Sequence, residues 1–249
     1  MVKVNPKYEH LRQFIENIPH VFEREGKEIY RQRNVIKVFN THMGTILNVK
    51  RYHKPRFLNR FVYSWNIRRP KGLRAYENSA TLTGCGIRTP EAVALLEERN
   101  WLGIMGYSYL ITIQSDYPHT LYEVADMPRP EFLQLAAAVA KLAVRLHESR
   151  ILHKDFTPGN ILWKKDESGY HLSIVDINRM RFGDVGFRER LDNIKRFWGP
   201  KLFTEAIARE YARLMVWEEG PVVRYTMERR KMFWEKYLKR HEVPFTVEL

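Results

Sequence analysis

The chain has 249 residues with 44% hydrophobic and 13% aromatic side chains, which is a folded composition and excludes a disordered arm. Its formal net charge of +13 and pI near 9.8 point to an anionic partner: nucleic acid, acidic lipid headgroups or a phosphorylated substrate. The single cysteine, Cys85, excludes an internal disulfide and fits a reducing compartment. The start Met1-Val2-Lys3-Val4-Asn5-Pro6-Lys7 lacks the apolar core of a signal peptide, and no run reaches the ~20 apolar residues of a membrane span. A soluble or peripheral protein is expected.

The first half alternates with the period of a sheet. Glu28–Gln32 and Val35–Phe39 read as a hairpin turning at Arg33-Asn34, and Thr45–Tyr52 as a third strand after the turn Thr41–Gly44. A basic, aromatic stretch follows. Arg56, Arg60, Arg68, Arg69, Lys71 and Arg74 interleave there with Phe57, Phe61, Tyr63 and Trp65. Such a mixture suits an anionic membrane surface, or is an ordinary solvated face over a local core. Leu73–Leu82 reads as a helix that stops near Gly84 and Gly86, and strands are expected at Ala92–Glu97 and Tyr107–Ile113.

After Asp116-Tyr117-Pro118 the character changes. Pro130 opens a helix that continues through Phe132–His147 and is apolar on nearly every side, so it belongs in the middle of a helical lobe. Ile161–Trp163 and Leu172–Val175 flank a polar turn with Asp166 and Gly169, a second hairpin. From Phe187 to about Arg240 the pattern is helical. No repeat or low-complexity linker interrupts the chain.

The informative segment is His153-Lys154-Asp155-Phe156-Thr157-Pro158-Gly159-Asn160, followed by Ile174-Val175-Asp176-Ile177-Asn178. Asp155 is placed to orient the proton of an attacking hydroxyl. Asn160 and Asp176, at the entrance and exit of the second hairpin, offer hard oxygen ligands suited to Mg²⁺. Lys50, on the third strand, is the candidate phosphate-binding lysine, and Glu77 on the following helix its acidic partner. Lys37 is the rival, but it leaves little chain before it to cover a nucleotide. His147 and His153 lack metal-ligand spacing and read as structural, with His153 bracing the loop. No Ser-His-Asp arrangement with a nucleophile elbow is present.

H-x-D-x-x-x-x-N followed by a strand ending in Asp resembles the catalytic and metal-binding segments of protein kinases. The implied class is α+β, a protein-kinase-like bilobal fold with a small antiparallel-sheet N-lobe (1–114), a hinge (115–118) and a larger helical C-lobe (119–249). More closely, the chain resembles the lipopolysaccharide kinase family, in particular the kinases of Kdo, the acidic inner-core sugar on lipid A. The resemblance spans roughly residues 20 to 200. It rests on Arg33-Asn34, Val49-Lys50-Arg51-Tyr52, Tyr76-Glu77-Asn78, Gly86-Ile87-Arg88-Thr89-Pro90, Leu146-His147, Asn160-Ile161-Leu162 and Asp176-Ile177-Asn178-Arg179-Met180-Arg181-Phe182.

That resemblance implies transfer of the ATP γ-phosphate to a sugar hydroxyl at the cytoplasmic face of the bacterial inner membrane. Lys50 and Glu77 would bind phosphate, Asp155 would be the catalytic aspartate, and Asn160 and Asp176 would hold Mg²⁺. Arg179 and Arg181 could grip the sugar carboxylate or lipid A phosphates, or serve in salt bridges within the lobe. The implied partner is a lipopolysaccharide precursor at the membrane surface. Nucleic acid is not expected, and no protein partner is indicated.

The departures from protein kinases are specific. No G-x-G-x-x-G run covers the phosphates, with only Gly26 nearby. Asp-Ile-Asn stands where Asp-Phe-Gly would, no Ala-Pro-Glu follows, and Thr157 occupies the place of a lysine two residues after the aspartate. The missing platform for a peptide favours a small molecule or glycolipid. A soluble phosphotransferase of the aminoglycoside or choline kind, and a nucleotide-binding pseudokinase, are the alternatives.

Overall fold

The computed structural model describes residues 1–54, 69–243 and 246–249. The chain divides into two units, Met1–Gly84 with Thr89–Asp116 and Ile177–Arg179, and Cys85–Arg88 with Tyr117–Asp176 and Met180–Leu249.

The alternating segments of the first unit form a six-stranded antiparallel sheet. Its strands are β1 (Val2–Val4), β2 (Lys27–Arg31), β3 (Val35–Asn40), β4 (Ile46–Tyr52), β5 (Ala92–Arg99) and β6 (Met105–Ile113), ordered β1-β5-β6-β4-β3-β2. Because side chains alternate across a strand, Leu47 and Val49 share a face with Val35 and Phe39. A 3₁₀ turn, Pro6–Leu11, and helix α1 (Arg12–Val21) cover that face, and Ile15, Ile18 and Phe22 fill the core against Phe39, Val49, Tyr109 and Ile111.

The sequence pattern did not indicate α1. It carries Pro19, which removes one backbone donor and reads locally as a helix breaker. Gly26 takes a left-handed φ of +79°, where a Cβ would lie 2.6 Å from the Phe39 ring. It therefore serves the turn between α1 and β2.

Helix α2 (Lys71–Gly84) packs on the opposite face of the sheet. At Gly72 an added Cβ would come within 2.7 Å of Leu95 and 3.6 Å of Tyr52, so glycine permits the close approach. Tyr52 and Lys50 share a strand face, so α2 covers the side of the sheet that presents Lys50.

In the second unit, α3 (Arg129–Glu148) buries Leu135, Ala136, Val139, Ala140, Ala143 and Leu146. Its small residues allow it to lie closely against α5 (Lys201–Met215), its most extensive helix contact. The expected helical stretch after Phe187 resolves into α4 (Phe187–Ile194), α5 and α6 (Glu219–Leu238). Gly199-Pro200 ends one stretch and Val216, at φ 56°, ends another. The hairpin is β9 (Ile161–Asp166) with β10 (Gly169–Ile174), extended on one side by β7 (His119–Thr120). A two-stranded ladder pairs β8 (Ile151–His153) with β11 (Met180–Phe182). The ladder and the hairpin together fix the segment between them, which carries the sequence motif.

Candidate active site

The motif loop is built around a buried histidine. His153 closes β8 with no solvent exposure. Its Nδ1 accepts from the Asp155 backbone N–H at 3.1 Å, and its Nε2–H donates to the Val175 carbonyl at 3.2 Å. Those two bonds require the neutral Nε2–H tautomer, and burial pushes the imidazole pKa down. One ring thus ties the backbone beside Asp155 to the backbone beside Asp176.

The bracing continues inward. Asn193 of α4 donates from Nδ2 to the His153 carbonyl at 2.9 Å and accepts from His147 Nε2 at 3.1 Å. The Tyr211 hydroxyl donates to His147 Nδ1 at 2.9 Å. Burial pushes His147 down to about 4, so it too is a neutral member of a dry polar chain. The sequence pointed to both histidines as structural but not to Asn193 or Tyr211. The one local signal was a polar Asn193 between the buried Leu191 and Ile194.

Asp155 and Asn160 lie on the loop that this chain holds. Asn160 donates from Nδ2 to the Asp155 carbonyl at 2.9 Å, and its own carbonyl accepts from the Val175 N–H at 2.9 Å. The first bond orients the amide and leaves its Oδ1 as the remaining acceptor, the polarity a cation needs. The second brings the hairpin ends together one residue from Asp176. Asp176 adopts a left-handed conformation, φ 54° and ψ 43°, which aspartate tolerates better than most residues.

Among the described residues no group of three or more His, Cys, Asp or Glu could hold a metal alone. One carboxylate plus one amide fits Mg²⁺, which keeps waters and takes phosphate oxygens to complete its shell. Asp155 also forms an ion pair that sequence reasoning missed, Oδ1 to Arg196 Nη1 at 3.1 Å.

In the first unit the two candidate lysines separate sharply. Lys37 is only 5% exposed, and its ammonium donates to the carbonyls of Phe22 at 2.6 Å, Glu25 at 3.0 Å and Glu23 at 3.3 Å. It closes the C-terminal end of α1, where a cation satisfies orphan carbonyls. Lys50, one strand over, is on the other face of the sheet, with its Nζ 5.4 Å from the Tyr52 ring centroid. Among the described residues the ion pairs of Glu77 are with Arg69 at 3.1 Å and Lys3 at 3.8 Å, not with Lys50.

Arg181 is occupied locally, donating to Glu189 at 2.8 Å and the Asp184 carbonyl at 2.9 Å. Its salt-bridge reading therefore describes it, and Arg179 is the exposed one of the two. Of the basic aromatic stretch, Arg56, Phe57, Arg60, Phe61, Tyr63, Trp65 and Arg68 lie outside the described residues. No described helix is long and apolar enough to cross a membrane.

No curated protein matches the chain in sequence. Among solved structures, one described as WaaP in complex with acyl carrier protein aligns with a TM-score of 0.62 at 17% identity, covering 97% of this chain and 100% of that one. A Rio2 kinase from Chaetomium thermophilum, solved as an ADP/Mg²⁺-phosphoaspartate complex, aligns with a TM-score of 0.52 at 16% identity over 89% of this chain and 67% of that one. At those identities the likeness shows the fold, which is protein-kinase-like. A family model for the lipopolysaccharide kinase (Kdo/WaaP) family matches residues 22–215, and the chain belongs to that family of kinases.

Proposed function

We propose that the protein is an ATP- and Mg²⁺-dependent kinase that phosphorylates a hydroxyl of Kdo on Kdo-lipid A. The observation that carries the reading is the Asn160 clasp. Its amide is bonded to the Asp155 carbonyl, and its backbone is bonded to Val175 beside Asp176. The loop with Asp155 and Asn160 is thus braced against the backbone beside Asp176, which supports a joint role for these three oxygen-bearing side chains in phosphoryl transfer.

In this reading Asp155 accepts the proton of the sugar hydroxyl as its oxygen bonds to the γ-phosphorus and the bond to the ADP oxygen breaks. Asn160 and Asp176 would hold Mg²⁺, which supplies charge neutralisation on the phosphates when bound. Lys50, on the sheet face opposite α1, would bind phosphate, with Glu77 on the helix covering that face as its acidic neighbour. The related Rio2 structure contains ADP and Mg²⁺, which supports that nucleotide and metal. The +13 charge suits peripheral binding at an anionic membrane face and the phosphates of lipid A.

The WaaP structure holds acyl carrier protein. A protein partner of that kind therefore enters the reading, revising the sequence-based expectation of none.

The test is mass spectrometry of Kdo-lipid A after incubation with ATP, Mg²⁺ and the protein, beside Asp155→Ala. One added phosphate with the native protein, and a loss of rate of about 10²–10⁴-fold in the variant, is the expected result. No added phosphate from a protein that binds ATP would refute Kdo as the acceptor.

A further inference from the structure

Phosphoryl transfer places two anions near one another. The base must approach the acceptor hydroxyl while the terminal phosphate approaches it from the other side. The residue two after Asp155 is Thr157, which is uncharged. The structure supplies a cation from elsewhere. Arg196 follows the C-terminal end of α4, and its Nη1 lies 3.1 Å from Asp155 Oδ1 and 2.9 Å from the Lys154 carbonyl.

The guanidinium is further held beside the Phe233 ring of α6, at 5.7 Å to the centroid. Both members of the pair are partly open to solvent, with Arg196 33% and Asp155 24% exposed. Among the described residues the hydrogen bonds of Arg196 are both made by Nη1. Its Nε and Nη2 donors are thus left for a ligand oxygen, and a guanidinium has five N–H donors to share.

We propose that Arg196 is the positioning residue that fixes Asp155 and neutralises it against the terminal phosphate of the bound nucleotide. The proposal deepens the kinase reading and rests on it. It explains how the loop works without a lysine two residues after the aspartate. The cation comes from a different element, 41 positions downstream of Asp155.

The two roles of Arg196 are separable. As a structural tie it needs only a donor to the Lys154 carbonyl. As a counter-charge it must be cationic, and its loss should penalise ATP but not ADP, because only ATP brings the terminal phosphate.

The experiment is calorimetric titration of the full chain with ATP and with ADP, each with Mg²⁺. Arg196→Gln keeps an N–H donor and removes the charge, while Arg196→Lys keeps the charge. Arg196→Gln should weaken ATP binding about tenfold with ADP affinity changed less than about threefold, and Arg196→Lys should retain ATP affinity within about threefold. Adding Asp155→Asn to Arg196→Gln should restore ATP affinity, because the repulsion to be offset is gone.

Equal losses for ATP and ADP, or no recovery in the double variant, would reduce Arg196 to a structural tie and overturn the proposal. A native protein that binds neither nucleotide would overturn the kinase reading and this proposal together. Binding with normal discrimination but no phosphorylation of Kdo-lipid A would bear only on the acceptor.

Discussion

His147 gives the polar chain behind the loop a measurable pH dependence. It is 1% exposed, and burial, the largest influence, pushes its pKa from 6.5 to about 4. The neighbouring Arg190 acts in the same direction, while the bond to Asn193 and the charges of Glu148 and Glu189 oppose it. The sign follows from proton uptake. The unfolded chain protonates this histidine below its ordinary value of 6.5, whereas the folded protein resists until about 4.

The contribution of His147 to stability is therefore complete above that ordinary value and is lost as pH falls through this window. Between pH 7.5 and pH 5.0 the loss works out at about 2 kcal/mol, a sizeable share of a total of roughly 5–15 kcal/mol. His147→Gln removes the titration while leaving an amide able to accept from Tyr211 and donate to Asn193. Urea unfolding of both proteins at the two pH values isolates the term, because every other titrating group, His153 included, is present in each. The native protein should lose about 2 kcal/mol more than the variant. In thermal melts that excess corresponds to an extra fall in Tm of roughly 4–8 °C. Parallel pH slopes would show that His147 is not held neutral, and would refute the buried, Asn193-bonded arrangement.

The two lysines should separate in opposite ways. Lys37→Met leaves three carbonyls at the end of α1 without their donor and should cost about 3 kcal/mol in urea unfolding, with nucleotide affinity unchanged. Lys50→Met should weaken ATP binding at least about tenfold with little change in stability, and the reverse pattern would reassign the phosphate lysine to β3. Asp176→Asn keeps a residue that tolerates the left-handed backbone. It should raise the Mg²⁺ needed for half-maximal activity by at least about tenfold, and an unchanged metal requirement in a kinetic titration would remove Asp176 from the metal site.

Much of this was legible in the sequence because it is written in local spacing. The period-two pattern of Val35–Phe39 and Thr45–Tyr52 reports side chains alternating between two faces, and β3 and β4 follow it to within a residue at each end. The long apolar run after Pro130 could only be a buried helix. His153, Asp155 and Asn160 are within eight positions of one another, so the loop that unites them is a local object.

Other features depended on residues far apart in the chain. Val35-Ile36-Lys37 and Asn48-Val49-Lys50 are alike as sequence, and only the packing of α1 on one sheet face makes Lys37 a helix cap and leaves Lys50 on the other. Glu77 was expected beside Lys50, but its position near Arg69 and Lys3 came from where β1 and the start of α2 lie. Arg196 and Asn193 had no motif to announce them. The sequence determined strands β2 to β6, the second hairpin, the long apolar helix and the loop because backbone periodicity and hydrogen bonding within a few residues specify them. Tertiary structure decided which charges are buried, capped or paired, because electrostatic partners and burial are set by elements that meet only after the chain has folded.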